Sequence, residues 1–363
     1  MAVPQDTIWE IEQHTLAKHE ILRRYLGAWF PILSTGNLRV VYIDGFCGPG
    51  KYKGGEDGSP IIALREAIKH SERLKGNTVT FLFVDERSDR IAHLEGELSK
   101  FPIPNNFVVR AIPGQFESVL GELLDNLESE GSRLAPTFAF IDPFGFKGVP
   151  FDLVQRLLAN PKTEVFVNVM IEAVNRFLEH PDAQTRQHIV DLFGTDKVLE
   201  AARRSCNRTV ALRLLYQRQL SGCARFVRYF EMRDSYNRTI YCLFFASNHR
   251  LGHVKMKEAF WKVDTSSGFC FSDATNPDQR LLFEINEVPS LASDLLRKFA
   301  NQRVSVGEIR QYVEDDTPFI ASQMRTALRQ LEQDNKIVVG ENKIDGSKRR
   351  KNTYPDDAVI VFK

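Results

Sequence analysis

Arg39-Val-Val-Tyr-Ile-Asp44 is an apolar run that ends on an acid and passes directly into Gly45-Phe-Cys-Gly48-Pro-Gly50. No other feature narrows the fold of this chain as far. A run without polar alternation reads as a strand covered on both faces, and the glycines after it let the backbone turn tightly and approach a ligand. The theme recurs. Residues 78–84 run into Asp85, residues 107–111 form a third apolar run, residues 137–141 precede Asp142-Pro143-Phe144-Gly145, and residues 163–170 form a fifth. Helix-period segments separate them, at 61–69, 89–100, 116–129 and 152–159. Ser59 reads as the N-cap of the first of these, ahead of Pro60. Strands alternating with helices predict an α/β fold, a Rossmann-like parallel sheet with helices on both faces.

The remainder divides around that sheet. Residues 10–33 carry apolar side chains at spacings of three and four, so region 1–38 is expected to be an N-terminal helix packed on the sheet domain. His14, Lys18 and His19 fall within it, readable as solvated residues or as the lining of a site. The sheet domain is expected over 39–286, with a helical insertion at about 174–224. Residues 225–231 and 239–245 flank Asp234-Ser-Tyr-Asn237, a hairpin signal that adds an antiparallel edge. From 288 to 363 the pattern is three short helices, at 291–300, 306–314 and 320–333, then strands at 337–339 and 359–362. That is a winged-helix pattern.

The glycine turn sets its own chemistry. A dinucleotide site needs G-x-G-x-x-G opening a helix, and this spacing differs. A P-loop needs Gly-Lys-Ser/Thr, and Gly50-Lys51 is followed by Tyr52. An acid ahead of the glycines, with no basic anchor, disfavours pyrophosphate and suits a cationic ligand. S-adenosylmethionine, which carries an ammonium and a sulfonium, is such a ligand. The expected cofactor set is Asp44, Gly45, Phe46, Gly48, Pro49 and Gly50, with Asp85 on a ribose diol and Glu86 as its rival. Asp142, Pro143 and Phe144 end the fourth strand, at the edge where open α/β sheets bind ligands. They are the expected catalytic group, able to accept from an amino group and to stack on its ring.

Charge and cysteine usage limit the partners. Lys plus Arg is 48 and Asp plus Glu is 47, so contact with nucleic acid requires a local patch. Lys348, Arg349, Arg350 and Lys351 at the expected wing tip supply one, and Arg325 and Arg329 on the third helix extend it. The five cysteines are widely spaced, with no C-x-x-C pair, so no metal site is expected. With no signal peptide and no apolar run of about 18 residues, a reducing cytoplasm and no membrane partner are expected.

Several stretches together resemble the three-Cys-motif partner protein family, which is similar to class I S-adenosylmethionine-dependent methyltransferases. They are Lys18-His19-x-Ile21-Leu22, Tyr42-Ile-Asp-Gly-Phe-Cys-Gly-Pro-Gly-Lys-Tyr52, Gly58-Ser-Pro60, Phe140-Ile-Asp-Pro-Phe-Gly-Phe-Lys-Gly148, Asn175-Arg-Phe177 and Gly252-x-x-x-Met256-Lys257-x-x-x-x-Trp261. The resemblance runs through about residues 14–264. It implies a class I methyltransferase sheet, S-adenosylmethionine as cofactor, and a radical-S-adenosylmethionine-like three-Cys-motif protein as partner. The expectation is methyl transfer to a nucleic acid at a base amino group. A binding module on a retained cofactor scaffold, and another nucleotide-using enzyme, are the alternatives at this stage.

Overall fold

The computed structural model describes residues 4–363 apart from 202, 204, 266, 274–287, 344–346 and 351. It divides into two units, Met1–Ala259 with Phe269–Asn276, and Phe260–Gly268 with Pro277–Lys363. In chain order the first part holds α1 (Gln13–Leu33), β1 (Arg39–Asp44), α2 (Ser59–Lys69), β2 (Thr78–Asp85), α3 (Ser88–Leu98), β3 (Phe107–Pro113), α4 (Phe116–Ser129), β4 (Thr137–Ile141), α5 (Phe151–Leu158) and β5 (Thr163–Val169). Helices α6 (Ile171–Phe177), α7 (Ala183–Phe193), α8 (Lys197–Ala201) and α9 (Arg208–Ser221) follow, then β6 (Phe226–Arg233), β7 (Thr239–Ser247), α10 (Arg250–Val263) and β8 (Cys270–Ser272).

The sheet order is β3-β2-β1-β4-β5-β7-β6-β8. Strands β1 to β5 pair in parallel, and β7 inserts antiparallel between β5 and β6. This is a Rossmann-like sheet with one antiparallel strand inserted. The apolar runs build it because β4 and β5 are buried at every residue, as a sheet covered on both faces requires. The order reverses between β1 and β4, so Asp44 and Asp142 end neighbouring strands at the switch point.

Two details differ from the sequence expectation, and a third decides between its alternatives. The hairpin β6–β7 is not the edge, because β8 adds in parallel to β6; three residues are too few to show a period. Gly58, not Ser59, is the N-cap of α2, with Pro60 in the first turn. His14, Lys18 and His19 are buried at 3%, 5% and 6% exposure, which sets aside the solvated reading of this face of α1 and leaves the site-lining one. The helical insertion closes with two standard devices. Asp182 accepts from Gln184 and Thr185 at the start of α7, and Gly194 ends that helix at φ 63°.

The second unit holds α11 (Val288–Lys298), β9 (Arg303–Ser305), α12 (Val306–Asp316), α13 (Ala321–Gln333), β10 (Ile337–Lys343) and β11 (Ala358–Phe362). Its sheet has three strands, in order β10-β11-β9, where the sequence pattern predicts two. The core gathers Leu291, Leu295, Ile309, Met324, Leu328 and Ile360. Trp261 belongs to this core, and its indole N–H donates to Pro318 O at 2.9 Å, which moves part of the region before 288 into this unit. Ser305 and Glu308 form a capping box on α12. Among the described residues no helix is long and apolar enough to cross a membrane.

Candidate active site

The turn after β1 is held from three sides. Gly45 N–H donates to Phe140 O at 2.9 Å, Cys47 N–H donates to Val84 O at 2.9 Å, and the Pro49 carbonyl meets His93 Nδ1 at 2.7 Å. Gly48 and Gly50 sit at φ 62° and 79°, where a side chain would be strained. Asp44 ends β1 with no solvent exposure. Tyr42 OH donates to its Oδ2 at 3.3 Å, the Ser59 hydroxyl and the Phe46 N–H also act on the carboxyl, and Oδ1 makes no hydrogen bond of ordinary geometry among the described residues. Burial, with the nearby Asp142 charge added, pushes this carboxyl up to about 7.

Asp85 closes the same turn from β2. Its Oδ2 accepts from Gly48 N–H at 3.1 Å and its Oδ1 from Arg87 N–H at 2.9 Å. The Arg90 guanidinium stands 3.7 Å away. Burial raises the Asp85 carboxyl despite these contacts. Glu86, the rival acid, is exposed. A cavity of about 630 Å³ opens beside them, lined by Gly45, Phe46, Asp85, Phe116, Pro143 and Phe144 among others. Phe46 and Phe116 lie with ring centroids 5.4 Å apart on its wall.

Asp142, Pro143 and Phe144 face a second cavity of about 210 Å³. Pro143 and Phe144 line both cavities and therefore stand between them. Lys18 Nζ donates to Asp142 Oδ2, and Asn168 Nδ2 donates to Asp142 Oδ1 at 2.8 Å. Both carboxylate oxygens are thus engaged, where the sequence assigned Asp142 to the substrate alone. The Lys18 ammonium also lies 5.3 Å from the Tyr241 ring centre. Its neighbour His19 is driven down to about 3 by burial and then by the Lys18 charge, so its imidazole is neutral.

A further wall comes from the segment ahead of α1. The Trp9 ring meets Tyr52 and Phe144 edge-on, each at 5.6 Å. Arg90 sits 4.8 Å from the Trp9 ring centre, and its Nη2 donates to Pro4 O at 2.8 Å. Asn168, Trp9 and Arg90 are residues to which sequence reading gave no role, and Lys18 was named there only as one of three residues that could line a site. Lys18 lay inside a quoted motif, and Asn168 is the polar residue in the stretch Val-Phe-Val-Asn-Val-Met.

In the second unit the six expected cations separate. Arg325 and Arg329 are exposed one turn apart on α13, and Lys348 and Arg350 are exposed near the wing. Among the described residues none of these four forms an ion pair. Arg349 corrects the sequence assignment. Its side chain is 7% exposed, donating to Glu332 Oε1 at 2.8 Å and to Thr353 O at 2.8 Å. Tyr354 OH donates to Glu332 Oε2 at 2.6 Å, so the pair ties the segment before β11 to α13. Lys351 lies outside the described residues.

A family model described as a GMT-like wHTH domain matches residues 271–343. No curated protein matches the chain. Among solved structures, the O-methyltransferase from Bacillus cereus in complex with SAH is similar at 14% identity and TM-score 0.35, over 62% of this chain and 80% of that one. Human methyltransferase-like protein 13 in complex with SAH is similar at 10% identity and TM-score 0.36, over 69% of this chain and 91% of that one. Cofactor-bound Rv0187 from MTB is similar at 13% identity and TM-score 0.34, over 62% and 79%. At such scores the fold rests on the strand order described above.

Proposed function

We propose that this chain is a methyltransferase that uses S-adenosylmethionine and modifies a nucleic acid at a base amino group. The observation that carries the reading is Asp44, a fully buried carboxyl in a glycine turn at the sheet's switch point, with one oxygen that makes no hydrogen bond of ordinary geometry among the described residues. A buried acid left partly unsatisfied suits a ligand that brings a cation. In this reading Asp44 holds the cofactor ammonium and Asp85 holds the ribose hydroxyls. Asp85 already accepts two backbone N–H groups, but a carboxylate offers about four lone-pair sites. Gly45, Phe46, Gly48, Pro49 and Gly50 shape the turn around it.

S-adenosylmethionine supplies a methyl group already activated on a sulfonium, so the chain needs little acid–base machinery. Its contribution is alignment of acceptor and methyl group. Pro143 and Phe144 stand between the cavities, and Phe144 would stack on the acceptor ring. Lys18 and Asn168 hold Asp142 against that ring. The acceptor nitrogen would take the methyl carbon as its bond to the sulfonium breaks, the electron pair passing to sulfur to leave a thioether, and would afterwards lose one proton to solvent.

The exposed cations Arg325, Arg329, Lys348 and Arg350 support nucleic acid as the acceptor, through contacts to phosphate. The three-Cys-motif partner rests on the sequence motifs alone, and co-purification of the two chains tests it. For the activity, the protein is incubated with methyl-labelled S-adenosylmethionine and total cellular DNA or RNA, native or heat-denatured. Label in the nucleic acid is the expected result. A folded protein that binds S-adenosylhomocysteine but labels none of these would exclude nucleic acid as acceptor.

A further inference from the structure

Asn168 has half of its hydrogen-bonding capacity unused in a place where that is costly. It is 2% exposed, on a strand buried at every residue. Its Nδ2 donates to Asp142 Oδ1 at 2.8 Å. The other oxygen of Asp142 accepts from Lys18. A carboxylate can only accept, so the amide must turn its nitrogen toward Asp142. Its Oδ1 is left over, buried and without a partner among the described residues. Asn168 lines the same 210 Å³ cavity as Lys18, Tyr52, Asp142, Pro143 and Phe144. That leaves room for a heterocycle beside the amide.

We infer that Asn168 Oδ1 receives an N–H of the methyl acceptor. Lys18 and Asp142 are then positioning residues, since they fix which way the amide faces. This inference rests on the methyl-transfer reading and adds to it the atom that recognises the acceptor. A neutral amide oxygen keeps the acceptor nitrogen's hydrogen in place while its lone pair stays free to take the methyl group.

The test uses the full chain. Parent, Asn168→Leu and Asn168→Asp are compared for S-adenosylhomocysteine affinity by calorimetry. Transfer of labelled methyl to heat-denatured total DNA and RNA is measured from pH 5 to 9. Leucine is similar in size and accepts nothing. It should leave the affinity within about threefold and lower transfer by about 30-fold or more, the loss expected when a buried contact is left unmade. In Asn168→Asp, a protonated carboxyl can donate to Asp142 and present a carbonyl oxygen in place of the amide. Two neighbouring carboxyls share one proton, which raises one of them. Transfer by this variant should therefore be retained at low pH and lost as pH rises, a limb absent from the parent. The other titratable groups around the pair are Lys18, His19, Asp44, Glu10, Glu12, Tyr42, Tyr52 and Tyr241; burial raises Asp44 and the three tyrosines and lowers His19.

Equal transfer by an active parent and Asn168→Leu overturns the inference. So does a parallel loss of S-adenosylhomocysteine affinity, which would place Asn168 on the cofactor side. If Asn168→Leu fails to fold, the acidic-limb profile of Asn168→Asp decides, and a profile like the parent's overturns it. A parent that binds S-adenosylhomocysteine yet labels nothing contradicts the methyl-transfer reading itself and removes the premise.

Discussion

The two edges of the large sheet each bury a carboxyl, and they treat it in opposite ways. At the start of β5, Glu164 is 4% exposed with both oxygens engaged, accepting from Tyr25 OH at 2.5 Å and Ser247 Oγ at 2.8 Å. Gly252 makes room for it, since a Cβ there would lie 1.9 Å from Glu164 Oε1. At the opposite edge, Asp44 and Asn168 each keep one oxygen with no hydrogen bond of ordinary geometry among the described residues. Burial of a polar group is therefore not the mark of a site in this fold. An unmade hydrogen bond alone is not the mark either, since Thr163 Oγ1 and Asn77 Oδ1 share it at the other end of the strands; Asp44 and Asn168 combine it with a place toward the carboxyl end, beside the glycine turn and Asp142. The comparison also gives Gly252, part of a quoted motif, a packing role.

The largest expected effect that would break this contrast is on Asp44→Asn. The folded carboxyl titrates near 7 against an ordinary value of 3.8. Between those pH values the unfolded chain has released its proton and the folded chain has not, so parental stability falls as pH rises through that window. The asparagine variant lacks this slope. It should be more stable than the parent at pH 8, by up to about 4 kcal/mol, with the difference vanishing near pH 4. It should also lose S-adenosylhomocysteine binding. Denaturant titrations at the two pH values measure the first effect, and equal stabilities would show that burial does not raise Asp44; retained S-adenosylhomocysteine binding by Asp44→Asn would place Asp44 with Glu164, itself raised by burial, as a structural acid.

Gly252→Ala should do the reverse. Crowding Glu164 should destabilise the protein by about 1–3 kcal/mol while S-adenosylhomocysteine affinity holds within about threefold. Thermal melts with calorimetry would show it, and a loss of affinity without a loss of stability would sink the packing role. Asp85→Ala should weaken binding by about 1–3 kcal/mol. Unchanged affinity would shift the ribose assignment to Glu86. The smallest effects belong to the second unit. Removing Lys348 or Arg350 should flatten the slope of log affinity against log salt by about 0.9 each on duplex DNA. Arg349→Ala should lower the melting temperature with little change in that slope, as its contact with Glu332 requires.

The sheet was legible because uniformly apolar strands between helix-period segments admit few other folds. Asp44, Asp85 and Asp142 could be gathered at one edge because parallel strands share a carboxyl end. The partners of those acids were not legible. Lys18 and Asp142 are 124 residues apart in the chain, and no local period joins them. Arg90 and Trp9 meet across the same turn from α3 and the N-terminal segment, again a long-range contact. Arg349 was partly legible, since it lies between exposed Lys348 and Arg350 and alternation in an extended segment turns every second side chain inward.

The central claim is that the Asp44 carboxyl is kept for a cation brought by the ligand. Calorimetric titration of S-adenosylhomocysteine into the parent at pH 6, in two buffers of different ionisation heat, tests it most directly. A carboxyl that titrates near 7 is largely protonated at that pH and must ionise to pair with an ammonium. The predicted result is release of close to one proton per site, with affinity rising toward pH 7 and levelling above it, and no heat of binding from Asp44→Asn. Binding with no proton released, equally tight in parent and variant, would contradict the account.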